Sequence, residues 1–360
     1  MKRKYINTIH EFVYMEEKIE GGSFTKGEGV DSPKGDSGLE KTNVKREGAS
    51  FPKGEGVDYS PSVLEKKIKH IVISGGGIAG FSFYGALRET EKNGLWNIND
   101  IQTMYGTSIG AIFTTIIALK YDWDILDDFL IKRPWHNVYQ FDINKLFLTF
   151  QTKGIFNRDV IKETFLPLFK GKDISIDITL KEFYEITKIE MHYFSTNINR
   201  FLPVDFSYKT HPDWKVIDAI YCSCALPVLL QPFIKDDGCY SDGGFFSNYP
   251  IDECIKNGAD SDEILGITRC SVVNLDSLNI TEHSSLLDYI MNIFFKVTES
   301  IFNNRKKITK IKYEIDVNAA PMSIYHIFFA TSNIEERIRL IQVGVDSISK
   351  LMSERKMRQS

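Results

Sequence analysis

The stretch that most constrains this chain is Tyr105-Gly106-Thr107-Ser108-Ile109-Gly110-Ala111. Ile101 to Met104, just before it, suit a short buried strand, and Ala111 to Leu119, just after it, are apolar and suit a helix. Ser108 then sits in a strand-turn-helix between Gly106 and Gly110, the G-x-S-x-G arrangement of a nucleophile elbow. Such a turn is sharp, and the flanking positions have room for little more than hydrogen. The helix aims its N-terminus at the serine, where its free N–H groups favour the negative charge that acyl transfer builds on a carbonyl oxygen. An ordinary strand-to-helix turn uses the same residue types, so the rest of the chain decides.

Lys69 to Ser74 is a β-branched run suited to a central strand, and Gly75-Gly76-Gly77-Ile78-Ala79-Gly80 ends it before a helix from Phe81 to Thr90. Strand, glycine turn and helix form the first unit of a parallel α/β sheet, and the elbow forms the second. Further helices are predicted over 122–132, from a cap at Asn157 to Leu168, after the capping box Thr179-Leu180-Lys181-Glu182, over 214–224, over 284–303, and from Ser332 or Asn333 to Met352. Strands are predicted over 189–198 and 201–207, as a hairpin, and over 263–268. The expected fold is therefore α/β, with a central, mainly parallel sheet flanked by helices.

Ahead of this core, residues 1–20 predict a short helix with Tyr5, Ile9, Phe12 and Val13 on one side. Residues 21–65 differ in composition. Lys26-Gly27-Glu28-Gly29-Val30-Asp31 recurs as Lys53-Gly54-Glu55-Gly56-Val57-Asp58, two copies with almost nothing to bury. They read as a disordered, locally duplicated linker, or as a linear binding motif. The core is expected over 66–275 and a helical region packed on it over 276–360.

A net charge of −4 gives no reason to expect a nucleic-acid partner. Five scattered cysteines fit a reducing compartment, and Cys222 with Cys224 lacks a second pair at zinc-site spacing. Asn7, His10 and Glu11 interrupt what a secretory leader would need as an apolar run, and no stretch is long enough to span a membrane. An intracellular protein, soluble or peripherally membrane-bound, is expected.

Gly75-x-Gly77-x-x-Gly80 also satisfies the dinucleotide fingerprint. That use requires an acidic residue at the end of the next strand, whereas Asp100 precedes it. The other use is an oxyanion hole, because consecutive glycines let backbone N–H groups turn toward a substrate oxygen. Adjacent parallel strands would put this loop beside Ser108.

A serine nucleophile needs a base. His283 and His326 fall in the Ser…Asp…His order of the α/β-hydrolases, but neither lies in a glycine-rich or turn setting. Asp242, in Ser241-Asp242-Gly243-Gly244, is the better candidate. An aspartate before two glycines often marks only a turn. A buried carboxylate with a raised pKa, however, can take a serine's proton, and Gly243 and Gly244 would allow close approach.

Gly-Gly-Gly-x-x-Gly, then Gly-x-Ser-x-Gly, then Asp-Gly-Gly, in this order, resembles the patatin-like phospholipases. Ala219-Ile220-Tyr221-Cys222-Ser223-Cys224-Ala225-Leu226-Pro227 resembles that family's segment leading to the aspartate, and Asn248 and Pro250 match residues that follow it. The resemblance covers roughly residues 69–270. It implies a patatin-like, α/β-hydrolase-related fold and hydrolysis of phospholipid acyl esters by Ser108 and Asp242 through an acyl-serine. Gly75, Gly76, Gly77 and Ile109 would supply the oxyanion hole, with no metal and no cofactor. Ala79 departs from the family, which usually carries Arg or Lys there. The alternatives are an inactive lipid-binding module of this fold and a nucleotide-dependent oxidoreductase using the glycine loop. The helix over 284–303 is apolar on more than one side, with Leu286, Ile290, Ile293, Phe294, Val297 and Ile301 as its main stripe and Leu287, Met291, Phe295 and Phe302 beyond it. With the basic run Arg305, Lys306, Lys307, Lys310 and Lys312, that extra face suits peripheral membrane contact.

Overall fold

In the computed structural model the described residues are 66–140, 143–269, 279–282, 284, 286–305, 309–318, 324–349 and 351–353. The expected N-terminal helix, the duplicated linker, His283, Lys306 and Lys307 lie outside them. Strand β1 (His70–Ile73) leads through the glycine loop and one three-ten turn into α1 (Gly80–Lys92). β2 (Thr103–Thr107) and α2 (Ile109–Ala118) repeat the unit, followed by α3 (Trp123–Lys132), α4 (Trp135–Val138) and α5 (Ile143–Thr152). Next come β3 (Gly154–Phe156), α6 (Asp159–Gly171) and α7 (Leu180–Thr187), whose Thr179 and Glu182 form the expected capping box. β4 (Glu190–Asn197) and β5 (Leu202–Phe206) are the expected hairpin. After α8 (Val216–Cys224) come β6 (Val228–Leu230), β7 (Phe233–Lys235) and β8 (Gly238–Asp242). The remaining elements are α9 (Gly244–Ser247), α10 (Ile251–Lys256), β9 (Ile264–Arg269), α11 (Leu286–Arg305), β10 (Tyr313–Val317), α12 (Ile324–Ser332) and α13 (Ile334–Ser347).

The main sheet runs β10-β9-β1-β2-β4-β8-β7, with β5 also on β4. β10, β9, β1, β2 and β4 are mutually parallel; β5 and β8 join β4 antiparallel, and β7 joins β8 antiparallel. The sheet is thus mixed, parallel through its centre and antiparallel beyond β4. Strand residues alternate between its two faces. Ile71, Ile73, Met104, Met191, Tyr193, Leu265 and Ile267 join the larger core with α1, α2, α6 and α8. Val72, Tyr105, Phe194 and Ile264 join a smaller one with Ile251 and Cys254 of α10.

The register around β4 positions the site. Phe194 pairs with Thr107 of β2 and with Asp205 of β5, so those strands occupy opposite edges of β4. Ser195 pairs with Asp242 of β8 and with Val204 of β5. β2 and β8 therefore share one edge of β4 from opposite directions, and their carboxyl ends meet at Phe194 and Ser195. The chain leaves the sheet there twice, as Ser108 and as Gly243.

The region after residue 276 is not purely helical, because β10 adds a strand to the sheet edge. Its helices are tied to the core by Arg337, which is buried and donates to the carbonyls of Ile131 and Arg133 at the end of α3 and of Ala330 and Thr331 at the end of α12. A cation there satisfies orphan carbonyls and meets the negative ends of two helix dipoles. Burial brings its pKa down to about 10.

Helix α11 docks by the boundary between its two stripes: Phe294 of the main stripe packs inward together with Met291 and Phe295 of the extra face, so this part of the extra face expected at a membrane is turned into the protein. Met291, Phe294 and Phe295 are buried, whereas Leu286, Tyr289, Ile293 and Val297 form an exposed ridge. A helix apolar on several sides offers two possible stripes, and spacing alone does not choose between them.

Candidate active site

Ser108 stands between β2 and α2 with φ 55° and ψ −124°, a conformation that side chains rarely adopt. Surrounding contacts hold it. Its N–H donates to Ser223 Oγ at 3.0 Å, and Ser223 Oγ donates to the Phe194 carbonyl at 2.6 Å. Its carbonyl accepts the Cys224 thiol at 3.1 Å and the Ala111 N–H at 2.9 Å. The last turn of α8, Ser223 with Cys224, thus clamps the elbow to β4. The flanking glycines are needed for close approach: a Cβ on Gly106 would meet the backbone of Gly110, and one on Gly110 would meet the Ile73 and Ser74 carbonyls.

Asp242 ends β8, so the aspartate is a strand terminus entering α9 rather than a hairpin turn. Its N–H donates to the Ala225 carbonyl at 2.9 Å, and its Oδ1 accepts the Gly244 N–H at 2.8 Å. Among the described residues, the buried Oδ2 has no hydrogen-bond partner of good geometry, while the Ser108 hydroxyl lies near enough to affect the carboxyl's ionisation. Burial raises the pKa from the ordinary 3.8 to about 6, with Ser108 and the Gly244 N–H acting the other way. A carboxylate so raised is ionised at neutral pH and can accept a proton from a nearby hydroxyl. Gly243 fits between Phe194 and Thr107, where a Cβ would meet the Phe194 carbonyl.

The glycine loop lies beside Ser108, and its members differ in availability. The Gly75 N–H donates to the Asn248 carbonyl at 2.8 Å, so Gly75 is corrected from donor to spacer. A Cβ there would strike Asn248 Oδ1 and touch Ser108 Cβ. Gly77 has φ 54°, which turns the chain through the left-handed region. Among the described residues, the N–H groups of Gly76, Gly77 and Ile109 donate to no protein acceptor. Gly80 opens α1 packed against Ile109 and Phe113, and Ala79 is fully buried.

Ser108, Asp242 and Gly75 to Gly77 line one cavity of about 220 Å³. Its walls are mostly apolar: Phe113 and Ile116 of α2, Trp135 of α4, Phe156 of β3, Ile161 of α6 and Phe294 of α11 all reach it. Ser74, Thr268 and Arg269 line it at the carboxyl ends of β1 and β9. No sequence motif points to these three, although Arg269 directly follows the last predicted strand. The site joins a hydroxyl, a carboxylate and free N–H groups at one end of an apolar pocket, a combination suited to acyl transfer from an apolar ester.

Among the described residues, no histidine lines the cavity that holds this pair. His326 lies on α12 near Glu336 and does not line the cavity. His192 packs flat on Tyr105, on the smaller-core side of the sheet, and its Nδ1–H donates to Asp205 Oδ2 at 2.7 Å. Burial disfavours its charge, but Asp205 and Glu190 override this and push its pKa up to about 9. The dinucleotide use also loses its acidic residue: β2 ends at Thr107, and Asp100 pairs with Lys67 at 2.9 Å ahead of the strand.

In comparison with known proteins, the family described as patatin-like phospholipase matches residues 71–255. A probable lipid hydrolase, 463L of Invertebrate iridescent virus 6, is 31% identical over 219 residues, spanning 58% of this chain and 73% of the relative. The uncharacterized protein R571 of Acanthamoeba polyphaga mimivirus is 25% identical over 243 residues, spanning 67% of this chain and 79% of the relative. Among solved structures, VipD from Legionella pneumophila aligns with a TM-score of 0.46 at 17% identity, covering 80% of this chain and 67% of that one.

Proposed function

Because this chain belongs to the patatin-like phospholipase family, and so to hydrolases of ester bonds, we propose that it cleaves acyl esters of phospholipids with Ser108 as nucleophile and Asp242 as base. The observation that carries this reading is the meeting of β2 and β8 on one edge of β4, which brings both residues to one apolar cavity. Ser108 Oγ attacks the ester carbonyl carbon as its proton passes to Asp242. The carbonyl oxygen, now an oxyanion, accepts the N–H groups of Gly76, Gly77 and Ile109, at the positive end of α2. The intermediate collapses, the C–O bond to the alcohol breaks, and Asp242 returns the proton to the leaving oxygen. An acyl-serine remains, and water, activated by the same carboxylate, releases the fatty acid. The apolar walls suit the acyl chain.

An acyl-serine is testable by intact mass. Mixing the protein with a nitrophenyl ester of a medium-chain fatty acid and quenching in acid is expected to add one acyl group to the peptide holding Ser108. An adduct on another residue, or turnover without any adduct at Ser108 under rapid quenching, contradicts this route.

Peripheral membrane contact is the companion proposal. Among the described residues no helix is long and apolar enough to cross a membrane. The α11 ridge of Leu286, Tyr289, Ile293 and Val297 is exposed next to buried Phe294 and Phe295, which line the cavity. Lys310, also exposed, follows it. Ile293→Asp combined with Val297→Asp is expected to weaken binding to anionic phospholipid vesicles roughly tenfold or more, with the far-ultraviolet circular dichroism unchanged. Lys310→Glu is expected to weaken it by about 1 kcal/mol. Vesicle sedimentation that is identical for parent and variants removes this contact.

A further inference from the structure

We propose that the crevice between the carboxyl ends of β1 and β9 is a subsite for an anionic phosphoryl group on the substrate, with Arg269 as the residue that selects for it. The proposal rests on the acyl-hydrolase reading of the cavity and adds a substrate preference to it. Topology gives the first argument. From β1 the crossover leads through α1 to β2 on one side, while β9 lies on the other side and leads onward to β10. The strand order reverses between β1 and β9, and in open α/β sheets ligands bind outside the carboxyl ends of the strands at such a reversal.

Chemistry gives the second. The cavity is apolar over most of its wall, yet here it becomes polar. Among the described residues lining it, Arg269 is the one cationic side chain. Beside it, Ser74 is fully buried, and among the described residues its Oγ has no hydrogen-bond partner. The Ser74 N–H donates to the Ile267 carbonyl at 3.0 Å, which sets Ser74 level with the last residues of β9, Thr268 and Arg269. A buried hydroxyl without a partner is costly unless a ligand atom meets it. A guanidinium fork with a hydroxyl donor matches phosphoryl oxygens in charge and geometry.

Distance gives the third. β9 lies two strands from β2, about 10 Å across the sheet. A glycerol backbone running from the ester carbonyl at Ser108, together with an extended arginine side chain, spans that gap. A neutral acylglycerol offers no phosphoryl oxygen to the buried Ser74 hydroxyl.

The test compares monodecanoyl glycerol phosphate with monodecanoyl glycerol, both below their aggregation concentrations, on the full chain. The readout is the ratio of kcat/KM for the phosphorylated over the neutral ester. In the parent the phosphorylated ester is expected to be preferred, and Arg269→Gln is expected to lower the ratio roughly ten- to hundredfold. Arg269→Lys is expected to recover part of it, as a point charge without the fork. An equal ratio in parent and Arg269→Gln overturns the subsite. The same two compounds are titrated calorimetrically into Ser108→Ala, with and without Arg269→Gln. Tighter binding of the phosphorylated compound that depends on Arg269, in a protein whose parent cleaves neither ester, keeps the subsite and overturns the hydrolase reading. Equal binding of both compounds overturns the subsite. Inorganic phosphate that competes as strongly as the phosphorylated ester assigns the crevice to free phosphate and overturns the headgroup assignment.

Discussion

Asp242→Asn is expected to cut ester hydrolysis roughly 10⁴-fold, since it removes the proposed general base and leaves the proposed oxyanion donors in place. The same change is expected to stabilise the protein. The folded carboxyl holds its proton up to about pH 6, whereas the unfolded chain releases it near the ordinary 3.8. The group's contribution to stability is therefore complete below the lower value and lost as pH rises through the higher one. Asparagine does not ionise and avoids that loss. The gain is bounded by the shift, about 3 kcal/mol at alkaline pH, and vanishes in acid below about pH 4. Thermal melts of parent and variant should separate by several degrees at alkaline pH and converge in acid. In the parent, kcat/KM should rise with pH to a plateau above about 6, the pKa of the free enzyme's base. A variant that melts below the parent at alkaline pH would mean that the carboxylate makes a compensating bond in solution.

Ser108→Ala is expected to have the larger effect on rate, a loss on the order of 10⁵ to 10⁶, because no covalent intermediate can form. The fold should survive. The elbow is held by the backbone N–H and carbonyl of residue 108, through Ser223, Cys224 and Ala111, and not by its hydroxyl. The positive φ persists, so alanine carries the same backbone strain as serine. The variant should bind substrate with little change while releasing no product, a split between binding and turnover that a folding defect would not produce.

Features written in contiguous residues were legible in the sequence, and features made by distant pairing were not. The elbow could be read because glycine, serine, glycine and the apolar run after them lie within one turn and one helix. Asp242 could be named from its glycines and its place in the motif order. Its approach to Ser108 depends on two strands sharing an edge of β4, which no local pattern records. Three-residue strands such as Gly154–Phe156 and Phe233–Lys235 are too short for periodicity to register. β10 was hidden by the lysines before it, although Tyr313, Ile315 and Val317 alternate inward as a strand should. Gly75 was read as a donor because backbone bonds do not show in side chains, and the Asn248 carbonyl already takes its N–H. Which side of α11 stays exposed was not legible because both are apolar: Met291 and Phe295, expected at a membrane, are buried, whereas Ile293 and Val297 are exposed.

Fatty acid release from mixed phospholipid vesicles, without added metal, by the parent, Ser108→Ala and Asp242→Asn side by side tests the Ser108–Asp242 pair most directly. Release by the parent and loss in both variants, each folded by circular dichroism, is the predicted result. Release that persists in Ser108→Ala would contradict it and reduce the elbow to a turn.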